Sequence, residues 1–184
     1  KSVPMNEVPS IRRDQLFSLV GKLDEQIGEL DEWLQKKVDK DKSVQLLLSQ
    51  PGVGNLTALA TVHTLGDVSR FPRLSKQIAS FAGLDPVEKS SAGKTRFGSI
   101  SKAGSRLLRH QLGLSAQIAC RSDAKLKSFY KRLAKKKPKP VAKVAAARKL
   151  LVKLAIMLRD QITAEEFDRR GRTVGNARQT TDLK

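Results

Sequence analysis

An all-α fold is predicted by three features of this sequence. A heptad seam runs through residues 10–38, apolar stripes at helical spacing recur between Gly and Pro breaks, and no run alternates apolar and polar residues as a strand does. The fold expected is a helical domain with a helix-hairpin-helix-like element, preceded by a long amphipathic, coiled-coil-like helix.

Pro4 and Pro9 keep the first residues extended. Leu16, Val20, Leu23, Ile27, Leu30 and Leu34 then recur at alternating steps of four and three, with charged residues between them. Leu at the d positions with Val20 and Ile27 at a favours a parallel pair of helices, hence a homo-oligomer through residues 10–38. An intramolecular helix contact gives nearly the same pattern, and the period leaves both open.

A short helix over about 43–49 is stopped by Pro51. The next begins with Asn55 as N-cap and ends before Gly66, a residue suited to the position after a helix. Another begins near Leu74 and ends at Gly83. Residues 85–99 lack any period and hold Pro, Ser, Ala and Gly, so they read as a loop or lid. A long helix over about 101–121 follows, then a shorter one capped by Ser122 and carrying Leu126, Phe129, Tyr130 and Leu133. Residues 135–140 read as a linker, because like charges repel and Pro138 and Pro140 break helices. A last long helix over about 141–162 has its stripe at Val144, Leu151, Leu154, Leu158 and Ile162. Thr163 and Glu166 form a capping box for one further turn. The chain thus divides into an extended segment 1–9, a seam helix 10–42, a helical domain 43–162 and a polar tail 163–184.

Charge points to the partner. The net charge is +18, yet residues 1–50 hold 8 basic and 9 acidic side chains, while residues 101–184 hold 22 and 6. Such concentration in one half is the electrostatic footprint of a nucleic-acid binder. The single Cys120 excludes an internal disulfide and fits a reducing cytoplasm, with nucleoid association following from DNA binding. No run approaches the roughly 20 apolar residues of a membrane span, so no membrane partner is expected.

Several motifs carry chemistry. Pro51-Gly52-Val53-Gly54 between apolar helices resembles a helix-hairpin-helix turn, whose glycines free backbone N–H groups for a phosphate. A tight turn using Gly for packing alone has the same residues. Lys102, Arg106 and Arg109 step by four and three along one helix face, opposite Leu107, Leu108, Leu112 and Leu114. Lys94 and Arg96 extend that charge into the preceding loop, and no acid lies between Glu88 and Asp123 to balance it. His63 and His110 stand apart from any ligand-spaced Cys or carboxylate, so no zinc is expected. Asp85 before Pro86 is a turn residue. Ser90 and Ser91 are loop residues on composition, although flanking cations could stabilise charge during attack on phosphorus.

The succession of motifs narrows the reading. Leu47-x-x-x-Pro51-Gly52-Val53-Gly54-x-x-Thr57-Ala58 is followed by Arg70-Phe71 and Phe81-Ala82-Gly83-Leu84-x-Pro86. Then come Ser90-Ser91-x-Gly93-Lys94, Gly98-x-Ile100-Ser101-Lys102-x-Gly104, Leu108-Arg109 and Arg148-Lys149-Leu150. Over roughly residues 44–160 this resembles the carboxyl-terminal transposase domain of the DEDD-type insertion-sequence transposases, related to Piv-type site-specific DNA invertases. The resemblance implies a serine nucleophile that joins covalently to DNA. It maps that serine onto Ser91, with Ser90 as neighbour and Ala92 where the family usually has Gly. It also implies a structured guide RNA and an upstream RuvC-like domain whose carboxylates hold Mg2+. That domain is absent from this chain, which is expected to be a carboxyl-terminal portion unable to exchange strands unaided. Two readings compete: a non-catalytic basic module gripping DNA or RNA backbone, and an assembly domain that dimerises through its seam helix.

Overall fold

In a computed structural model of the chain, residues 7–88 and 97–171 are described. The chain divides into two units, Lys1–Lys40 and Asp41–Lys184. The first unit contains one helix, α1 (Glu7–Lys40). It begins before Pro9, so the described end of the segment expected to be extended is helical. Pro9 fits because a first-turn residue has no intrahelical use for its N–H. Leu16, Val20, Leu23, Ile27 and Leu30 stand 47–62% exposed on it.

The second unit is built around its last long helix. In chain order it comprises α2 (Lys42–Leu48), α3 (Asn55–Leu65), a 3-10 turn (Val68–Arg70), α4 (Leu74–Phe81), β1 (Pro86–Glu88) and β2 (Phe97–Ile100). It continues with α5 (Arg106–Ser122), α6 (Ala124–Ala134), α7 (Lys139–Asp160) and a closing helix α8 (164–171). α7 packs against α2, α4, α5 and α6. It buries Ala142, Ala146, Ala147 and Ala155 beside Leu150, Leu151, Leu154 and Met157, and the alanines let neighbouring backbones come close. The expected linker is short, because α7 accepts Pro140 in its first turn, where no N–H is required. No helix among the described residues is long and apolar enough to cross a membrane.

The fold is mostly helical, as expected, with one addition. β1 and β2 pair antiparallel, Pro86 opposite Ile100 and Glu88 opposite Phe97, inside the stretch expected to be a loop. Both strands are exposed except at Ile100, so no burial imprinted an alternating pattern on them.

Three helix starts also differ from expectation. Gly54, not Asn55, is the N-cap of α3. Asp123, not Ser122, caps α6, accepting from the Leu126 N–H at 2.9 Å. α5 begins at Arg106 behind the Ser105 cap, leaving Lys102 outside the helix at φ +57°.

Asp123 serves a second purpose. Lys153 Nζ, nearly buried, donates to Asp123 at 3.1 Å and to Asp168 of α8 at 3.1 Å, and lies over the Phe167 ring. Burial pushes the Asp123 carboxyl up, but the Leu126 N–H and the charge and hydrogen bond of Lys153 outweigh it and hold it below the usual aspartate value. This clasp, with the Ala164 N–H donating to Ser49 Oγ at 2.9 Å, docks a helix where the sequence reads as a polar tail. The Glu166 N–H donates to Thr163 Oγ1 at 3.3 Å, as the capping pattern predicts.

Candidate nucleic-acid interface

Two short segments, 81–85 and 101–105, interlock at the root of the hairpin. Gly83 lies at φ +67°, and a Cβ there would sit 2.5 Å from the Ala103 N. A Cβ on Gly104 would run into the Phe81 carbonyl. With no side chain between them the backbones bond directly: Lys102 N–H to the Gly83 carbonyl at 3.1 Å, and Ser101 N–H to the Asp85 carbonyl at 2.9 Å. The Asp85 carboxylate also accepts from Ser101 Oγ at 2.7 Å, so this turn residue is part of the joint. Arg109 Nη1 closes it, donating to the carbonyls of Gly104 at 2.6 Å and Ala82 at 3.2 Å. Beneath, the Arg70 guanidinium rests on the rings of Phe71 and Phe81 at 4.7 and 4.9 Å.

A cavity of about 530 Å³ lies beside this joint. Lys102, Arg106, Arg109, His110 and Lys143 line it, over a floor that includes Gly113, Val144 and Ala147, and no carboxylate lies among the described lining residues. Lys102 and Arg106 are exposed, as an anion arriving from water requires. The three basic residues read as one helix face therefore do meet, although Lys102 reaches the cavity from a left-handed turn. Arg109 differs from the other two, because part of its donor capacity is committed to backbone carbonyls. Lys143 escapes sequence reasoning. It stands on α7, bonded to Gln117 of α5 at 3.0 Å, and no local spacing links the two helices.

The Pro51–Gly54 turn lies elsewhere. Gly52, at φ +89°, packs against α5, where a Cβ would be 2.5 Å from the Ala119 N and 3.0 Å from the Ser115 carbonyl. Val53 is buried beside it. Gly52 thus serves close helix packing, reinforced by Thr57 Oγ1 and Ser115 Oγ at 2.9 Å. Gly54 is open to its surroundings at the start of α3 and supplies no side-chain cap. Ser90, Ser91, Lys94 and Arg96 lie outside the described residues. The strands on either side of them are described, and Ile100 of β2 lines the basic cavity. Among the described residues no group of three His, Cys, Asp or Glu side chains could hold a metal ion, and no Mg2+ chemistry is assigned to them.

Known proteins are similar to this chain in sequence. Residues 44–131 match the family described as Transposase IS116/IS110/IS902 family. The chain is 33% identical over 151 residues to a probable family 20 transposase of Pseudomonas aeruginosa, across 79% of this chain and 43% of that protein. It is 41% identical over 86 residues to the transposase for insertion sequence element IS1111A of Coxiella burnetii, across 47% of this chain and 23% of that one. An insertion element IS110 uncharacterized 43.6 kDa protein of Streptomyces coelicolor is 35% identical over 116 residues, covering 62% and 28%. The chain spans less than half the length of each of these curated relatives.

Proposed function

Because this chain belongs, through residues 44–131, to the IS116/IS110/IS902 transposase family, we propose that its second unit grips DNA phosphates in the basic cavity and presents Ser91 to one of them. The observation that supports this is the cavity itself: four Lys and Arg side chains with His110, and no carboxylate among the described lining residues, around a space walled partly by Ile100 of the hairpin that frames residues 89–96. Phosphate contacts of this kind position a backbone without reading its sequence. Ser91 is the proposed nucleophile with Ser90 as its neighbour, and Lys94 and Arg96 add charge beside them. The metal and the activating base belong to the upstream domain implied by the resemblance. A structured guide RNA is the proposed second nucleic-acid partner. Gly54, the N-cap of α3, is proposed as a further backbone contact to phosphate.

The binding half of this reading is tested by salt. Replacing Lys102, Arg106 and Lys143 together by Ala should flatten the slope of log K against log salt by nearly three units, about 0.9 per lost phosphate contact. Arg109 is spared in that variant because its removal would open the hairpin root. An unchanged slope, measured by fluorescence anisotropy on duplex DNA, would reduce the cavity to a solvated charged surface.

The seam of α1 is proposed to join copies of the chain, supported by its heptad spacing and the exposure of Leu16, Val20, Leu23, Ile27 and Leu30. Leu23→Asp should then shift sedimentation to monomers with helicity retained. Oligomers that survive Leu23→Asp would remove this role from the seam.

A further inference from the structure

An apolar pocket of about 350 Å³ adjoins the basic cavity and takes no part in the grip on phosphate. Pro86, Gly98 and Ile100 of the hairpin line it together with Val141, Val144 and Ala145 of α7. Leu84, Ile100 and Val144 line both spaces, so the two share a wall. Arg148 is the one ionisable residue among the described residues that line the pocket. We infer that this pocket receives an unpaired nucleobase from the DNA strand whose phosphate lies in the basic cavity. The inference rests on the proposed phosphate-binding role of that cavity.

Four observations select this occupant. The pocket's volume falls within the roughly 300–1,000 Å³ of small-molecule sites. Its walls are largely aliphatic and reach the surface, with Val141 half exposed, so an apolar plate entering it is favoured by desolvation. Arg148 supplies a planar guanidinium that stacks on a base or donates to its edge. The adjoining space is lined by cations, with no carboxylate among its described lining residues, which suits a ligand joining a flat apolar body to an anion. A nucleotide has that construction. A paired base cannot enter, because its faces are stacked and its edge is engaged, so the strand must first be opened.

The test uses the 184-residue chain and two DNA duplexes of equal length, one fully paired and one carrying a single bulged 2-aminopurine. The bulged duplex should bind about tenfold more tightly, the scale of one stacked base, and its fluorescence should change on binding. Ala145→Leu fills the pocket and should erase both effects while leaving affinity for the paired duplex unchanged. Val141→Gln, at an exposed position, should weaken the preference even if Ala145→Leu folds poorly. Equal binding of the two duplexes by the unmodified chain, or a preference that survives both substitutions, overturns the inference and leaves the phosphate reading standing. If the triple Lys102, Arg106 and Lys143 variant binds paired DNA with unchanged salt dependence, the phosphate reading itself has failed. A bulged RNA duplex run in parallel should show a smaller preference than DNA, and a larger one overturns the assignment to DNA.

Discussion

In a full-length transposase carrying this domain, Ser91→Ala should abolish recombination while affinity for DNA changes by less than about twofold. A binding contact in water contributes modestly, whereas removing the attacking group stops the reaction, and loss of a nucleophilic serine lowers turnover by orders of magnitude. In the proposed step the Ser91 oxygen forms a bond to phosphorus as a phosphate–deoxyribose oxygen bond breaks. The serine proton would pass to a base supplied by the upstream domain that the proposed function invokes. The leaving oxygen takes up a proton, and the phosphodiester-level link to serine keeps the energy needed for rejoining. Ser90→Ala should be milder because it keeps the attacking group. Trapping the reaction and digesting the protein should yield a DNA-linked peptide containing residues 90–94. Full recombination by the Ser91→Ala protein would exclude this nucleophile, and a domain that only grips backbone would yield no linked peptide at all.

Gly104→Ala should cost about 3 kcal/mol or more of stability in urea titration, at the upper end of overpacking penalties. The added Cβ meets the Phe81 carbonyl and lies 2.8 Å from two Ala82 backbone atoms, and neither segment can yield without breaking the hairpin root. Phosphate binding should fall with it, since Lys102 and Arg109 are held by the same joint. Gly21→Ala is the control. It has nothing within 4 Å and sits inside α1, so it should add about 0.5–1 kcal/mol to the helix. A neutral Gly104→Ala would show that the two segments are not in backbone contact.

What could be read in advance follows from how each feature writes itself into sequence. The stripe Leu151, Leu154 and Leu158 announces α7 because one face of it is buried, and burial imposes a period. The hairpin has almost no buried face and left no such mark. Lys102, Arg106 and Arg109 have helical spacing, yet Lys102 is turned out of the helix by the carbonyl of Gly83, a residue far back in the chain. Spacing alone sends Arg109 to a phosphate, while its Nη1 binds Ala82 and Gly104. Lys143 reaches the same cavity from another helix altogether. Caps slip by one residue at Gly54 and Asp123, where neighbours of similar capping ability compete. The role proposed for Ser91 is legible only through resemblance, since a serine among small residues carries no chemical signature of its own.

The basic cavity owes its existence as much to missing volume as to charge. Its floor includes Gly113 and Ala147, two of the smallest residues available, on α5 and α7. Nothing lies within 4 Å of where a Gly113 Cβ would be. A larger side chain at Gly113, which has open space around it, would fill part of the hollow while every lysine and arginine around it stayed in place. The chain would keep its +18 charge, but the proposed phosphate would meet a shallower space between α5 and α7. Under the proposed function, long-range attraction and seating are therefore separable, one written in the cations and the other in a side chain the chain does not have.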